Sequence, residues 1–534
     1  MERIRIRPLA FGLVALAGLA LLPMATRDAD AGALRPPAAE TRKPDMPHMQ
    51  VMPAVLPGKE NTNVIAQNDG SAASTIAMDI YTAGGVLVTS ASQVYTNVPV
   101  GGTRVFTQAI NTGLAPGFRG VGVVSSDQPF NALLVRGVDN TDGRSSSSIH
   151  NAYATGGTKI SLPFVVNALE GTFNSRFAIA NTGTAVACVT IEYAFKPGTG
   201  STPPGGKANL TDSGPGGSGC GTGYPIPVNG QVAFASTAID GAIAMPGGTV
   251  NAQMSATVTA TGSTVTVGVD AWVSGLRSLG AYDGFIVGDG GDLSTNVIVP
   301  LAIKHQDGFL SQFLLSNPNP AAADVTITYT GNTGTHVKTL SIPANGTTDH
   351  GVYSDAIVPV GFVGAARITS TQPIAVVAFF GKMTVANSFV GEDVYAAING
   401  VPADQAATEA KFPLIFRRAY QSGSAFGFNS WVSVTVADGS TANITIEAVN
   451  DSTSAAPGCL GSNFTSTITK QITGSFIFYQ NLDTPTDNGF NSNPACFWGG
   501  MVVTSDKPIV AIGDVANDVV AGDTDGRYNA FTGN

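Results

Sequence analysis

The sequence predicts an all-β protein: four tandem Ig-like β-sandwich modules in an elongated array, following a cleaved signal peptide. Three observations carry that prediction. Short runs alternate apolar and polar residues, as in Val325-Thr326-Ile327-Thr328-Tyr329, the period of a half-buried strand. The runs are separated by Asn-Gly, Asp-Gly and Pro, which supply the backbone angles that turns need. The same words return at domain-sized intervals, which marks an array of whole domains rather than a fine-grained solenoid. Strong helical patterns are missing, and so is the Cys–Trp–Cys hallmark of antibody domains, so the expectation concerns architecture alone.

Three words recur. The first is an apolar strand ending in Asn, then a turn, then a strand ending in Tyr. It occurs as Asn68 to Tyr81, Asn181 to Tyr193 and Asn317 to Tyr329, at separations of 13, 12 and 12, with a weaker fourth copy from Val432 to Glu447. The second is Gly followed nine residues later by Pro, with Ser three before the Pro: Gly120, Ser126 and Pro129; Gly364, Ser370 and Pro373; Gly499, Ser505 and Pro508. It reads as strand, polar turn, and a Pro that opens the next strand where a missing N–H does least harm. The second module replaces it with a hairpin over Val258 to Val265. The third word joins modules: Tyr153, Tyr282 or Tyr395, followed by Leu162-Pro163-Phe164, Val299-Pro300-Leu301 or Phe412-Pro413-Leu414.

In chain order, residues 1–33 read as a secretory signal. Arg3, Arg5 and Arg7 precede an apolar run from Leu9 to Leu22, and Ala29-Asp30-Ala31 offers small residues for cleavage. The run is too short to span a membrane comfortably, and an uncleaved anchor is the other reading. Residues 34–48 form a Pro- and charge-rich flexible leader. Module 1 covers 49–157, module 2 covers 158–294, module 3 covers 295–407 and module 4 covers 408–534. Modules 2 and 4 carry Gly-, Pro- or Ser-rich insertions, one from Gly198 to Gly223 and one around Cys459.

Charged residues make up only 12% of the 534, and the formal charge of −10 is spread without long runs. That excludes a basic nucleic-acid footprint. The four cysteines fall as Cys188 with Cys220 and Cys459 with Cys496, each pair inside one module. In an exported chain these predict two loop-closing disulfides, with buried thiols as the other reading; the spacing does not suit zinc.

Motifs for chemistry are thin. Gly214-Pro215-Gly216-Gly217-Ser218-Gly219 matches a dinucleotide loop in letters only, since no helix follows to hold a pyrophosphate. Asp139 and Asp142, with Asp523 and Asp525, stand in related turns ending Asp-Gly-Arg. Clustered carboxylates suit calcium, but a full binding-loop spacing is missing, and solvated turns are the plainer reading. No other cofactor is implied. His48, His150, His305, His336 and His350 are scattered, and no Gly-x-Ser-x-Gly elbow supports a hydrolase. Trp272, Trp431 and Trp498 could stack sugars, but core or junction packing explains them as well.

The apolar-Pro strand, the Asn-turn strand and the Ser-x-Gln-Pro hairpin together resemble those of secreted bacterial tandem-repeat proteins. The resemblance implies Ig-like modules over most of the mature chain and implies no activity. The expected function is a non-enzymatic extracellular structural protein that self-assembles as a fibre, sheath or surface-layer subunit. Its partner would be itself, head to tail. Val51, Met52, Pro53, Ala54, Val55 and Leu56 would form a leading strand that fills an open edge of another copy's last module by strand addition. Such a heterologous contact gives filaments. The alternative is a cell-surface adhesin or carbohydrate-binding stalk with surface glycans as partner. No nucleic acid and no transmembrane segment beyond the signal is expected.

Overall fold

Each alternating run becomes a strand whose buried side faces a second sheet. The computed structural model describes residues 49–51, 59–139, 145–153, 155–169, 173–196, 209–217, 219–236, 242–245, 252–273, 279–288, 290–306, 308–382, 395–419, 427–450, 464–479, 497–517, 522–523 and 525–532. The expected signal peptide and leader lie outside them, as do Met52, Pro53, Ala54, Val55, Leu56, Asp142, Cys459 and Cys496. The described residues form an all-β protein with no α-helix.

The strands fall into four groups. The first holds β1 (Met49–Val51), β2 (Lys59–Asn68), β3 (Ser74–Thr82), β4 (Gln93–Val98), β5 (Thr103–Thr107), β6 (Gly120–Ser126), β7 (Phe130–Asp139) and β8 (Ser145–Asn151). The second holds β9 (Lys159–Asn167), β10 (Phe173–Asn181), β11 (Ala187–Phe195), β12 (Asn209–Asp212), β13 (Tyr224–Ile226), β14 (Gln231–Ala235), β15 (Ile243–Ala244), β16 (Ala252–Thr261), β17 (Val265–Val273), β18 (Leu279–Asp283) and β19 (Phe285–Ile286). The third holds β20 (Ser294–Gln306), β21 (Phe309–Asn317), β22 (Ala323–Gly331), β23 (Gly334–Ile342), β24 (Gly346–Gly351), β25 (Phe362–Lys382), β26 (Tyr395–Asn399) and β27 (Val401–Pro402). The fourth holds β28 (Ala407–Arg417), β29 (Phe428–Val436), β30 (Thr441–Asn450), β31 (Phe464–Thr473), β32 (Ser475–Tyr479), β33 (Phe497–Asn517), β34 (Gly522–Asp523), β35 (Gly526–Asn529) and β36 (Phe531–Thr532).

The sheet order repeats. One sheet runs β4-β3-β6-β1 in module 1, β12-β11-β16-β9 in module 2, β23-β22-β25-β20 in module 3 and β31-β30-β33-β28 in module 4. The other runs β5-β2-β7-β8, β14-β10-β17-β18, β24-β21-β25-β26 and β32-β29-β33-β35. In modules 3 and 4 one strand of 21 residues, β25 or β33, serves both sheets; in modules 1 and 2 two strands do that work.

The recurring words have local causes. Asn68, Asn181 and Asn317 are fully buried at strand ends. Each side-chain amide donates to the carbonyl four residues on, Ala72, Ala185 or Ala321, while its carbonyl accepts the N–H two residues on. Only a side chain with both a donor and an acceptor can close that turn. Ser126, Ser370 and Ser505 each accept the N–H two residues on, which is why Ser stands three before Pro. Pro163, Pro300 and Pro413 sit where the register skips, between Leu162 and Val165, Val299 and Ala302, and Phe412 and Ile415. A bulge leaves the missing N–H without a ladder partner to disappoint.

One recurrence changes meaning. Tyr193 and Tyr329 are fully buried in their own cores, but Tyr81 packs outward with Val121 and Val123 against Ala180 of module 2. The Asn-to-Tyr separation of 13 rather than 12 moves it by one residue, and one residue flips the face.

The elongated array is overturned. β8, β18, β26 and β35, the last strand of the second sheet in each module, pack in a closed cycle: β8 on β18, β18 on β26, β26 on β35 and β35 on β8. Module 1 therefore meets module 4, and β34 of module 4 pairs directly with β8 of module 1. Hydroxyls mark the same cycle. Thr347 of module 3 donates to the Pro163 carbonyl, Ser433 of module 4 to Pro300, and Thr103 of module 1 to Pro413. Apolar burial favours closure at three of the four junctions, where modules 2 and 3, 3 and 4, and 4 and 1 share core clusters.

The open-edge premise fails with it. Val51 pairs with Gly122 inside module 1, and β9, β20 and β28 each pair within their own module. The last module is finished by its own β36, where Phe531 pairs with Lys411. No donor strand from a neighbour is needed there.

Cys188 and Cys220 form a disulfide across a separation of 32 residues, fastening the module 2 insertion to β11. Cys188→Ser is expected to lower the stability of module 2 by about 3–4 kcal/mol, from the loop entropy returned to the unfolded chain. Denaturation with and without reductant checks it: the wild-type protein under reduction should match the variant.

Candidate functional site

The polar chemistry of the interior gathers where the modules meet. The last residues of the four central strands are Asn151, Asp283, Asn399 and Asn529, and they occupy equivalent positions: each lies opposite Leu133, Gly268, Val377 or Ile512 on its neighbouring strand. Backbone N–H groups of Asn151, Asp283 and Asn399 donate to the side chains of Asp283, Asn399 and Asn529 at 3.3, 3.0 and 3.0 Å. The amides of Asn399, Asn529 and Asn151 return hydrogen bonds to the carbonyls of Asp283, Asn399 and Asn529, each at 2.8 Å. This cycle of short polar side chains ties the four modules at one end of the axis.

The one carboxylate of this cycle, Asp283, stands beside His150. Asp283 Oδ1 lies 3.0 Å from His150 Nδ1, and Asp270 Oδ1 lies 3.2 Å from His150 Nε2. Asp270 Oδ2 also ion-pairs with Arg136 Nη1 at 2.6 Å, and Arg136 pairs in turn with Glu60. Arg136 is 1% exposed and His150 8%. Burial alone would lower the His150 pKa, but the hydrogen bonds to Asp270 and Asp283 outweigh it and push it up to about 9. Burial would raise Asp270; Arg136, His150 and Arg176 overcome that and hold its carboxyl far below the usual carboxylate range. Glu60 is raised by burial, against the pull of Arg136 and Arg176. This charged seam joins module 1 to module 2, with Trp272, Val138 and Leu279 as its small apolar cluster.

A second polar seam joins modules 3 and 4. Arg527 donates to Asp514 at 2.9 Å and to Asp525 at 3.1 Å. Its guanidinium lies 4.4 Å from the Phe380 ring and 5.0 Å from Trp431. Asp514 is fully buried, and burial with the adjacent Asp525 raises it well above an ordinary aspartate.

The other two junctions are apolar. Phe379, Tyr395 and Val377 of module 3 share one core cluster with Phe164, Phe173 and Tyr282 of module 2. Leu133, Val135, Ile65 and Val105 of module 1 share another with Phe412, Leu414 and Tyr528 of module 4. Ion pairs stand beside these clusters, Lys196 with Asp349 and Lys411 with Asp69. The junction of modules 3 and 4 combines both kinds of contact, since Ile512, Trp431 and Ile477 of module 4 pack on the module 3 core.

The expected site residues fare unevenly. Asp139 ends β7, and Asp523 lies in β34; β8 runs between them, with Ser145 opposite Asp139 and Ser146 beside Asp523. Asp139 and Asp523, far apart in sequence, are thus brought to one strand. Asp525 is buried and ion-pairs with Arg527. Gly217 and Cys220 exchange backbone hydrogen bonds in both directions, closing a tight turn with no helix after it. Trp272 and Trp431 lie in seams, and Trp498 stacks on Phe416. The joining tyrosines are not equivalent: Tyr282 and Tyr528 reach back to the carbonyls of Phe164 and Leu414, Tyr153 bonds Val267, and Tyr395 packs among aromatic rings. His150, Arg136, Asp270, Asp283 and Arg527 were not singled out as a site from the sequence; the available signal was that Asn or Asp ends the last strand of every module.

No family model matches the chain, and no curated protein does. Among solved structures, a tetra-tandem repeat in the extending region of a large adhesion protein is similar over 91% of this chain and 99% of that one, at 13% identity and a TM-score of 0.11. At that score the two shapes do not superpose.

Proposed function

We propose that the chain is a non-enzymatic extracellular structural protein, acting as a closed four-module platform rather than as a string of beads, each module a β-sandwich of Ig-like type. One observation supports the reading: Glu60, Arg136, His150 and Asp270, and Asp514, Asp525 and Arg527, are buried and engaged with one another across or beside module junctions, where they hold the ring together. The disulfide between Cys188 and Cys220 supports an oxidising destination. The partner class is further copies of the chain, meeting through outer surfaces rather than by strand exchange. Surface glycans are the second reading, motivated by the exposed polar groove of Asp324, Thr326, Thr339, Ser341, Thr369 and Thr371.

The test is solution scattering and negative-stain microscopy of the secreted fraction. A compact four-lobed particle, alone or packed into larger assemblies, is the expected result. An extended chain of beads, or retention of the protein inside the cell, would overturn it. Binding of a glycan array by a strictly monomeric particle would favour the second reading.

A further inference from the structure

We propose that the ring is built to open along one seam, between modules 1 and 2, with the His150 imidazolium as the pin that keeps it shut. The geometry distinguishes this seam from the rest. Modules 2 and 3 share a continuous apolar cluster, and so do modules 4 and 1. The module 3 cluster takes in Ile512, Trp431 and Ile477 of module 4. Between modules 1 and 2 the apolar contacts are two small groups: Val138 with Trp272 and Leu279, and Tyr81, Val121 and Val123 with Ala180. The remainder of that seam is polar: the ion-paired cluster around His150, and hydrogen bonds from Gln231 to the Ala83 and Gly120 carbonyls.

Both ring nitrogens of His150 face carboxylates, an arrangement that suits the protonated ring. From β17 and β18 of module 2, Asp270 and Asp283 each hold one ring nitrogen. From β7 and β2 of module 1 come Arg136 and Glu60, and from β10 comes Arg176, with Arg119 next to it. Ser148, on the same strand as His150, also faces Asp270, and the neutral Tyr153 lies near Asp283. Protonated His150 can donate to both aspartates at once. Neutral imidazole can donate to only one of them, so losing the proton removes one of the two hydrogen bonds that His150 makes across the seam.

The sign follows from where His150 titrates. Its pKa is about 9 in the closed ring and about 6.5 once exposed. The stabilisation is complete below the exposed value and lost as pH rises through the closed one. The opening constant therefore rises about tenfold per pH unit between about 6.5 and 9, then levels off, roughly 300-fold in total. Arg176 gives up its proton near about 10, so the rise between pH 6.5 and about 9 reports the histidine, and the last half unit of the window includes Arg176.

The experiment follows His150 by NMR on the full chain, alongside X-ray scattering and far-UV circular dichroism over pH 6 to 9.5. An imidazole midpoint near 9, with a larger radius of gyration above it and unchanged circular dichroism, is the expected result. His150→Lys, which keeps a cation, should abolish the pH step. His150→Gln should abolish it too, with quenching of Trp272 by acrylamide already high at pH 6. If a variant fails to fold, the wild-type titration alone decides. A midpoint near 6.5, a histidine that titrates with no change in scattering, or loss of circular dichroism at the same pH would each overturn the proposal.

Discussion

Arg136→Met is expected to destabilise the protein by about 3–5 kcal/mol at pH 7, read as the free energy of its first unfolding transition in denaturant. The side chain is 1% exposed and stands between two carboxylates, Glu60 and Asp270, that are each 9% exposed. Met fills similar volume, so little of the loss comes from packing. The cost is that of leaving two buried carboxylates without the cation that compensates them, which exceeds what the pair contributes when whole. The pH dependence separates this cause from a simple cavity. In the wild-type protein, burial would raise Asp270, but Arg136 and its neighbours depress it. That depression stabilises the fold above about pH 4 and is lost progressively as pH falls. The variant has less of it to lose. The gap between wild type and variant should narrow below pH 4, whereas a packing defect would keep it constant. Glu60→Gln combined with Arg136→Met should recover part of the loss, since it removes one of the stranded charges.

The sequence made the class of fold readable because its signals are local. Alternation and the Asn turn each depend on residues within a few positions of one another, and each performs in the structure the task its chemistry suggests; the Ser-x-x-Pro word separates two strands only in module 1, since Pro373 and Pro508 lie inside β25 and β33. The bulge at Pro163, Pro300 and Pro413 was not anticipated, although it gives these prolines a place without a ladder partner. Ring closure was not legible. It depends on which residues of the second sheet face outward, and Leu133 and Leu134 look alike in a sequence. Nor were the seams legible: Arg136, His150, Asp270 and Asp283 come from strands up to 147 positions apart, and no spacing rule joins them. The joining tyrosines misled for the opposite reason. Similar letters at similar intervals suggested equivalence, while the strand register assigns it to Asn151, Asp283, Asn399 and Asn529. A repeat of short polar residues at strand ends is weaker as a pattern than a repeat of tyrosines, yet it is the one that the symmetry of the ring preserves.

Two neighbouring leucines give the sharpest test of closure. Leu133 and Leu134 sit side by side on β7, both buried, and successive side chains on a strand point to opposite faces. Leu134 belongs to the core of module 1 itself, with Val64, Ile76 and Phe106. Leu133 belongs to the cluster that module 1 shares with module 4, with Phe412, Ile415 and Trp498. Leu133→Arg should therefore leave module 1 folded and break the contact with module 4, because the new charge reaches water once the ring opens. The closed state loses about 2–3 kcal/mol of apolar burial and must in addition bury a guanidinium without a partner, so the open form should dominate. The radius of gyration should rise while the far-UV circular dichroism stays that of the wild type. Leu134→Arg has no such escape: its charge stays inside the sandwich in the open and the closed ring alike, and module 1 should unfold. If both variants unfold together, the modules are not independent and the ring is one cooperative core. If Leu133→Arg leaves scattering unchanged, module 1 does not close on module 4, and the chain is the string of beads that its repeats first suggest.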